Sequence, residues 1–283
     1  IDEQLWEKEN GRWQLVMKVM VKDGCVTTRE LTKAVAGALN RRMIPEKDTK
    51  TLIGKGVNLY TYEEEPRFQA IYGVARMVKD GAAVSGDNFS FLEPESGKMV
   101  MCLSDGMGSG SLACKESEMV IELVEKFLEA GFDVETAARM MNSAMVMKGQ
   151  EDLFSTVDIS ELDLYDGTCR FYKIGAAATF IRRNGIVECL ISTSLPVGVS
   201  YKLDMEKSEK DLYNGDFLVM VSDGVLEYLH VPNPEETMQE IIESIETNNA
   251  TILAKRILER VLLFTGGKAA DDMTVLATAI WEK

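Results

Sequence analysis

The stretch MVMCLSDGMGSG, residues 99 to 110, carries an apolar run into Ser-Asp-Gly and resumes at once with another apolar residue. The same figure returns at FLVMVSDGVL, residues 217 to 226. An apolar run that stops on an acid and a glycine reads as a buried strand reaching the surface. For either copy alone, an aspartate turning its own backbone is the plain explanation. The repetition, with further acids in comparable places, points instead to a metal site. Asp87 in SGDNF precedes a strand, Asp105 and Asp223 close two, and the pair Asp271 and Asp272 in KAADDMTV opens the last.

Strand ends in a layered sheet protein gather along one rim, so acids distant in sequence can meet there. Two carboxylates about 4 Å apart repel by about 4 kcal/mol at an effective dielectric of about 20. Four together must therefore take up protons or hold cations. An all-oxygen ligand set selects hard ions, Mg²⁺ or Mn²⁺, with Ca²⁺ as a third option. At Gly106 and Gly224 a backbone carbonyl can approach a cation with no Cβ in the way. The glycine-rich GMGSGS, residues 106 to 111, lacks the GxxxxGK[ST] spacing of a phosphate loop, because Lys115 comes too late. It reads as a hinge feeding a helix.

Working outward, residues 111 to 129 and a stretch capped by Asp133 carry helical periodicity. From Leu153 to Val221 the chain reads as consecutive strands, with YDGT, RRNG and YNGD as hairpin signals. A helix pair over residues 235 to 264 precedes the final strand MTVLATAI. Upstream, RWQLVMKVMV alternates as a strand, the turn KDG follows, and Thr27 with Glu30 forms a capping box for a helix running to about Met43. TYEEEP, residues 61 to 66, marks a boundary. After it come the strand RFQAIYGVARMVK and a hairpin turning at EPESGK. Strands, helices, strands and helices in succession give an α+β fold of antiparallel sheets covered by helices.

A net charge of −15 over 283 residues argues against nucleic acid, whose binding needs clustered Lys and Arg, and disfavours an anionic membrane surface. No apolar run reaches the roughly 18 residues of a membrane helix, and no signal peptide is present. Five cysteines without a CxxC read as reduced thiols. The single histidine, His230, lies beside VPNP and reads as a solvated loop residue, which excludes a Ser-His-Asp triad and a zinc hydrolase.

In order, SGDNFSF, LSDGMGSG, FSTVDISELDLYDG, KIGAAATFI, SLPVG, VSDGVLE and DDMTV resemble the sporulation branch of the PPM-type metal-dependent serine/threonine phosphatases, from about Phe68 to Ile280. Residues 1–66 resemble, more weakly, the regulatory segment that joins a membrane-spanning part to the phosphatase in that branch. The resemblance implies an αββα sandwich over residues 67–283 with two Mn²⁺ or Mg²⁺ ions on its rim. Asp105 would bridge both ions. Asp87 and the Gly106 carbonyl would hold one, and Asp223 the other with Asp271 or Asp272. The family's Asp-Asn aligns with Asp271, while the double acid lets Asp272 serve.

The implied activity is hydrolysis of phosphoserine on an anti-sigma-factor antagonist, controlling a sporulation sigma factor. Asp105 and Asp223 are its catalytic carboxylates, and water activated by two metals is its nucleophile. The helices within residues 111–147 correspond to a switch and to a face for homodimers or higher self-association. The chain opens on Ile1 and is expected to be a cytoplasmic piece of a membrane-anchored parent, itself touching neither membrane nor nucleic acid. One departure stands out. The eukaryotic branch places an Arg just before the first acid, whereas Arg76 lies well upstream of Asp87, so phosphate binding is expected to rest on the metals alone. Two other readings compete: a catalytically silent phosphatase-like binding module, and a two-metal nucleotide enzyme, for which the sequence lacks a basic phosphate cradle.

Overall fold

The computed structural model describes residues 2–7, 12–21, 24–46, 49–93, 97–108, 110–147 and 154–283. The turns read at KDG and EPESGK fall partly outside them, as does the start of the strand series at Leu153. The chain divides into two compact units, Ile1–Pro66 and Arg67–Lys283.

The first unit contains β1 (Asp2–Glu7), β2 (Trp13–Met20), β3 (Val26–Thr27), α1 (Thr28–Leu39), β4 (Met43–Pro45), β5 (Leu52–Ile53) and β6 (Val57–Glu64). Its main sheet runs β1-β2-β6-β4. Leu31 and Val35 of α1 pack on Leu15, Met17, Val19, Tyr60 and Tyr62. The capping box forms as read, with Thr27 Oγ1 accepting from the Glu30 N–H and Glu30 Oε2 from the Thr27 N–H. The helix ends at Leu39, short of Met43, because Asn40 turns left-handed (φ 51°) and returns its N–H to Ala36. Met43 then belongs to a strand paired with β6.

The second unit holds β7 (Phe68–Met77), β8 (Asp87–Leu92), β9 (Lys98–Gly106), α2 (Ser111–Glu129), α3 (Val134–Met147), β10 (Ser155–Asp163), β11 (Thr168–Ile174), β12 (Thr179–Arg183) and β13 (Ile186–Leu190). It continues with β14 (Glu206–Asp211), β15 (Phe217–Val221), α4 (Asp223–Glu227), α5 (Pro234–Glu243), α6 (Ala250–Phe264) and β16 (Met273–Glu282). Two five-stranded antiparallel sheets result, β14-β11-β10-β9-β8 and β13-β12-β15-β16-β7. Among the described residues no helix is long and apolar enough to cross a membrane.

The apolar runs of the two Ser-Asp-Gly figures explain the layering. In β15, Leu218 and Met220 face the opposite sheet, while Phe217, Val219 and Val221 face α5 and α6. In β9, Met99, Met101 and Leu103 join the same central layer, and Val100 and Cys102 pack against α2 and α3. A strand apolar on both faces must be covered on both, and period-two alternation distributes its side chains between two cores. The result is the αββα sandwich. A buried ion pair sits in its central layer: Lys173 Nζ lies 2.6 Å from Asp158 on the same sheet, and Thr179 on the other sheet donates to that carboxylate at 2.5 Å.

YDGT and RRNG turn hairpins, the second with both Asn184 (φ 51°) and Gly185 (φ 81°) left-handed. YNGD does not. It joins β14 to β15, which lie in different sheets, so the chain changes layer there. The turn chemistry was legible, but the sheet membership of the flanking strands was not.

Strand β7 meets α6 through Gly73, where an added Cβ would come within 2.3 Å of the Thr251 backbone. Gly73→Ala is expected to destabilise the second unit by about 1–3 kcal/mol, measured by urea unfolding, because backbone cannot yield as a side chain can.

Candidate metal centre

Asp87 opens β8 and Asp105 stands next to last in β9, directly opposite each other in the antiparallel ladder. Like charges so placed repel. Each Ser-Asp-Gly serine ties its strand end to a neighbour. Ser104 Oγ donates to the Thr156 carbonyl and lies 2.8 Å from Ser155 Oγ. Ser222 Oγ accepts the Thr274 N–H at 2.9 Å, and the Ser222 N–H returns to Thr274 at 3.0 Å. The two figures then diverge. Asp105 remains in its strand, whereas Asp223 is the first residue of α4 rather than the last of β15.

The carboxylates converge. Asp87 is fully buried, and neither of its oxygens accepts a hydrogen bond at normal distance. Burial pushes its pKa up to about 6, and the charges of Asp223 and Asp272 add to the rise, while the nearby Thr274 and Ser222 hydroxyls oppose it. Asp105 is pushed up to about 11, first by burial, then by hydrogen bonding to Asp223 and by the charges of Asp87 and Asp223. Among the described residues no group of three or more Asp, Glu, Cys or His side chains stands close enough together to hold a metal ion as placed. The acids lean pairwise on Asp105, as a proton shared there allows. A buried carboxylate without a partner is the unmet demand that a divalent cation would satisfy, and an all-oxygen donor set fits a hard ion. The residues present fit the metal.

The two acids of KAADDMTV part company. Asp272 is buried and accepts the backbone N–H of Lys79 at 2.9 Å and of Gly86 at 2.7 Å, closing the loop that leads into Asp87. Asp271 is half-exposed, 3.6 Å from Lys79 Nζ. Gly86 is a crossing point, because its carbonyl accepts both the Gly106 N–H at 3.2 Å and the Ser117 hydroxyl of α2. A Cβ on Gly106 would lie 2.1 Å from the Ala113 carbonyl, and one on Gly224 2.2 Å from the Asp272 carbonyl. Both glycines are thus required by close backbone packing around the acids.

Arg76 was misplaced by sequence distance. It stands next to last in β7, and its guanidinium donates to the Asp87 carbonyl while remaining exposed. The intervening residues form the loop that Asp272 folds back, which brings a cation to the rim. Ser222 and Thr274 also border the site and were not read as part of it. The repeated Ser before Asp was the available signal. His230 is exposed on a left-handed turn against Tyr228. All five cysteines are free.

An acid whose pKa is raised by folding binds its proton more tightly in the folded chain, so stability falls as pH rises from the ordinary value through the raised one. For Asp87 that window runs from about 4 to about 6, and Asp105 extends it to about 11. Without divalent ions the protein is expected to lose stability as pH rises from about 4 to 8. Asp105→Asn should raise Tm over the parent at pH 8, with the difference closing toward pH 4 in a calorimetric series.

Comparison with known proteins places this geometry. The model of the family Stage II sporulation protein E (SpoIIE) matches residues 95–280. Stage II sporulation protein E of Bacillus subtilis (strain 168) is 29% identical over 278 residues, covering 98% of this chain and 34% of that protein. The chain spans about a third of the length of the curated relatives it matches. The solved structure of the PP2C phosphatase domain and a fragment of the regulatory domain of SpoIIE from Bacillus subtilis superposes with TM-score 0.80 at 27% identity, over 99% of this chain and 82% of that one. The catalytic domain of the serine/threonine phosphatase PstP, in complex with two manganese ions, shares the fold with TM-score 0.60 at 17% identity, over 76% of this chain and all of that one. The sandwich is the PP2C fold, and the chain belongs to the Stage II sporulation protein E family.

Proposed function

We propose that the second unit is a metal-dependent protein serine/threonine phosphatase, a phosphoric monoester hydrolase that releases phosphate from a phosphoserine protein. The observation that carries this is the buried, unpartnered Asp87 carboxylate beside Asp105 and Asp223. Two Mn²⁺ or Mg²⁺ ions are the fitting cofactor, in keeping with the manganese bound by PstP, which shares the fold. Bound there, they would supply an activated water and neutralise phosphoryl charge.

The chain's own residues divide the remaining work. Asp105, central among the acids, would hold the ions together with Asp87, the Gly106 carbonyl and Asp223. Asp271 is the better candidate for the remaining ligand, because Asp272 already holds two backbone N–H groups. Arg76, exposed beside Asp87, offers its guanidinium to a phosphoryl oxygen at the rim, so phosphate binding does not rest on the metals alone. No side chain takes the part of nucleophile.

The substrate we infer is an anti-sigma-factor antagonist phosphorylated on serine, in sporulation, as family membership suggests. Residues 1–66 fill a regulatory role. The exposed Leu112, Met140 and Met147 on α2 and α3 support self-association through residues 111–147.

Asp105→Asn is expected to abolish Mn²⁺-dependent phosphate release from a phosphoserine protein while circular dichroism stays that of the parent. Activity like the parent's in that variant would remove the mechanism. Arg76→Ala should raise KM by about tenfold, the equivalent of one charge-assisted hydrogen bond, with kcat less affected. Asp271→Asn should weaken Mn²⁺ binding more than Asp272→Asn, as read by calorimetric titration.

A further inference from the structure

The loop SLPVG, residues 194–198, supplies no carboxylate to the rim, yet it is fastened along its length to β11, to α3 and to β10, the neighbour of the Asp105 strand. At its start, Ser194 Oγ accepts the Gly175 N–H at 3.0 Å and donates to the Lys173 carbonyl at 3.1 Å. Pro196 lies so close to Gly175 that a Cβ there would come within 2.8 Å of the proline backbone, so the glycine of KIGAAATFI is what admits the loop. In its middle, Val197 is buried and bridges to Ser155, its N–H donating to the Ser155 carbonyl at 3.0 Å. At its end, Gly198 N–H donates to Asn142 Oδ1 at 3.0 Å, and Asn142 Nδ2 donates to the Ser200 carbonyl at 2.9 Å.

Asn142 sits on α3 and is 2% exposed. A planar amide that accepts from one backbone group and donates to another fixes both the height and the rotation of the segment it holds. The consequence reaches the rim through Ser155. That residue opens β10 opposite Gly106, and its hydroxyl donates to the Asp105 carbonyl at 2.7 Å. A continuous series of hydrogen bonds and chain neighbours thus runs from Asn142 through Gly198, Val197 and Ser155 to the backbone of Asp105 and Gly106. The simplest alternative is a buried asparagine that only satisfies a loop. Such a residue would affect stability and nothing else.

We infer that Asn142 is a positioning residue for the metal centre: by clamping residues 198–200 to α3 it holds Val197 against Ser155 and so sets the aim of the Asp105 carboxylate and the Gly106 carbonyl. This rests on the metal reading of the rim. Partners of ligating residues commonly change metal affinity by about 10–100-fold when removed.

The test uses the whole chain and two readouts. Asn142→Ala should weaken Mn²⁺ binding by about tenfold or more in calorimetric titration. In the metal-free protein it should speed hydrogen exchange at the Gly106 and Met107 amides, which are bonded to Gly86 and Phe154. Val261→Ala, which opens a cavity in the α6 core, is the control for lost stability and should change neither readout. Ser194→Ala, at the loop's other end, is the milder variant should Asn142→Ala fail to fold, and it should move both readouts the same way by a smaller factor. Mn²⁺ affinity within twofold of the parent, or a loss matched by Val261→Ala, overturns the inference. A parent that binds no Mn²⁺ at all would sink the metal reading itself, and exchange at Gly106 and Met107 would still decide the brace.

Discussion

Mutual repulsion among carboxylates gathered at a partly buried rim is the constraint on which this structure depends. Asp87 is buried without a hydrogen bond, Asp105 faces it across the ladder, and Asp223 arrives from the opposite sheet. Left to themselves these groups would separate or hold protons. Everything around them keeps them from separating. The serines of the Ser-Asp-Gly figures stitch strand ends to neighbours, Gly106 and Gly224 let backbones approach within Cβ distance, and Asp272 closes the loop before Asp87. A fold that holds like charges together this way must supply them with protons or with a counterion of opposite sign.

The sheets that carry these acids are joined by polar contacts as well as by apolar packing. The central layer contains the Asp158–Lys173 pair and the Thr179 hydroxyl, with Ser160 and Thr278 against methionine sulfurs. A buried ion pair contributes little net stability, since desolvation offsets attraction, but it tolerates few alternative alignments. Here it lies one pleat below the rim, because Asp158 pairs with Leu103, two residues before Asp105. The Thr179 hydroxyl, reaching Asp158 from the other sheet, ties the two layers together at that level.

Much of this was legible in the amino acids. The apolar runs at 99–103 and 217–221 gave buried strands because both faces must be covered, and the acids at their ends were read as a rim. Resemblance to a phosphatase family supplied the layering and the ligand set. What could not be read was three-dimensional adjacency across loops. Arg76 looked remote from Asp87 because eleven positions were counted along the chain, while a loop folded back by Asp272 brings the two side by side. YNGD carried a correct turn signal and a wrong inference, since turn chemistry says nothing of which sheet receives the next strand. Asn142 and SLPVG fell to the same limit: an asparagine on a helix carries no local sign that a distant loop needs its amide.

The acids come from both sheets, Asp87 and Asp105 from one, Asp223 and the Asp271–Asp272 pair from the other. A cation seated among them would act as a rivet through the sandwich, so ion occupancy and the sliding of one layer over the other become a single variable. Chelation would then loosen the halves along their whole shared face, and any force that shears them would be felt first as a weakening grip on the ion.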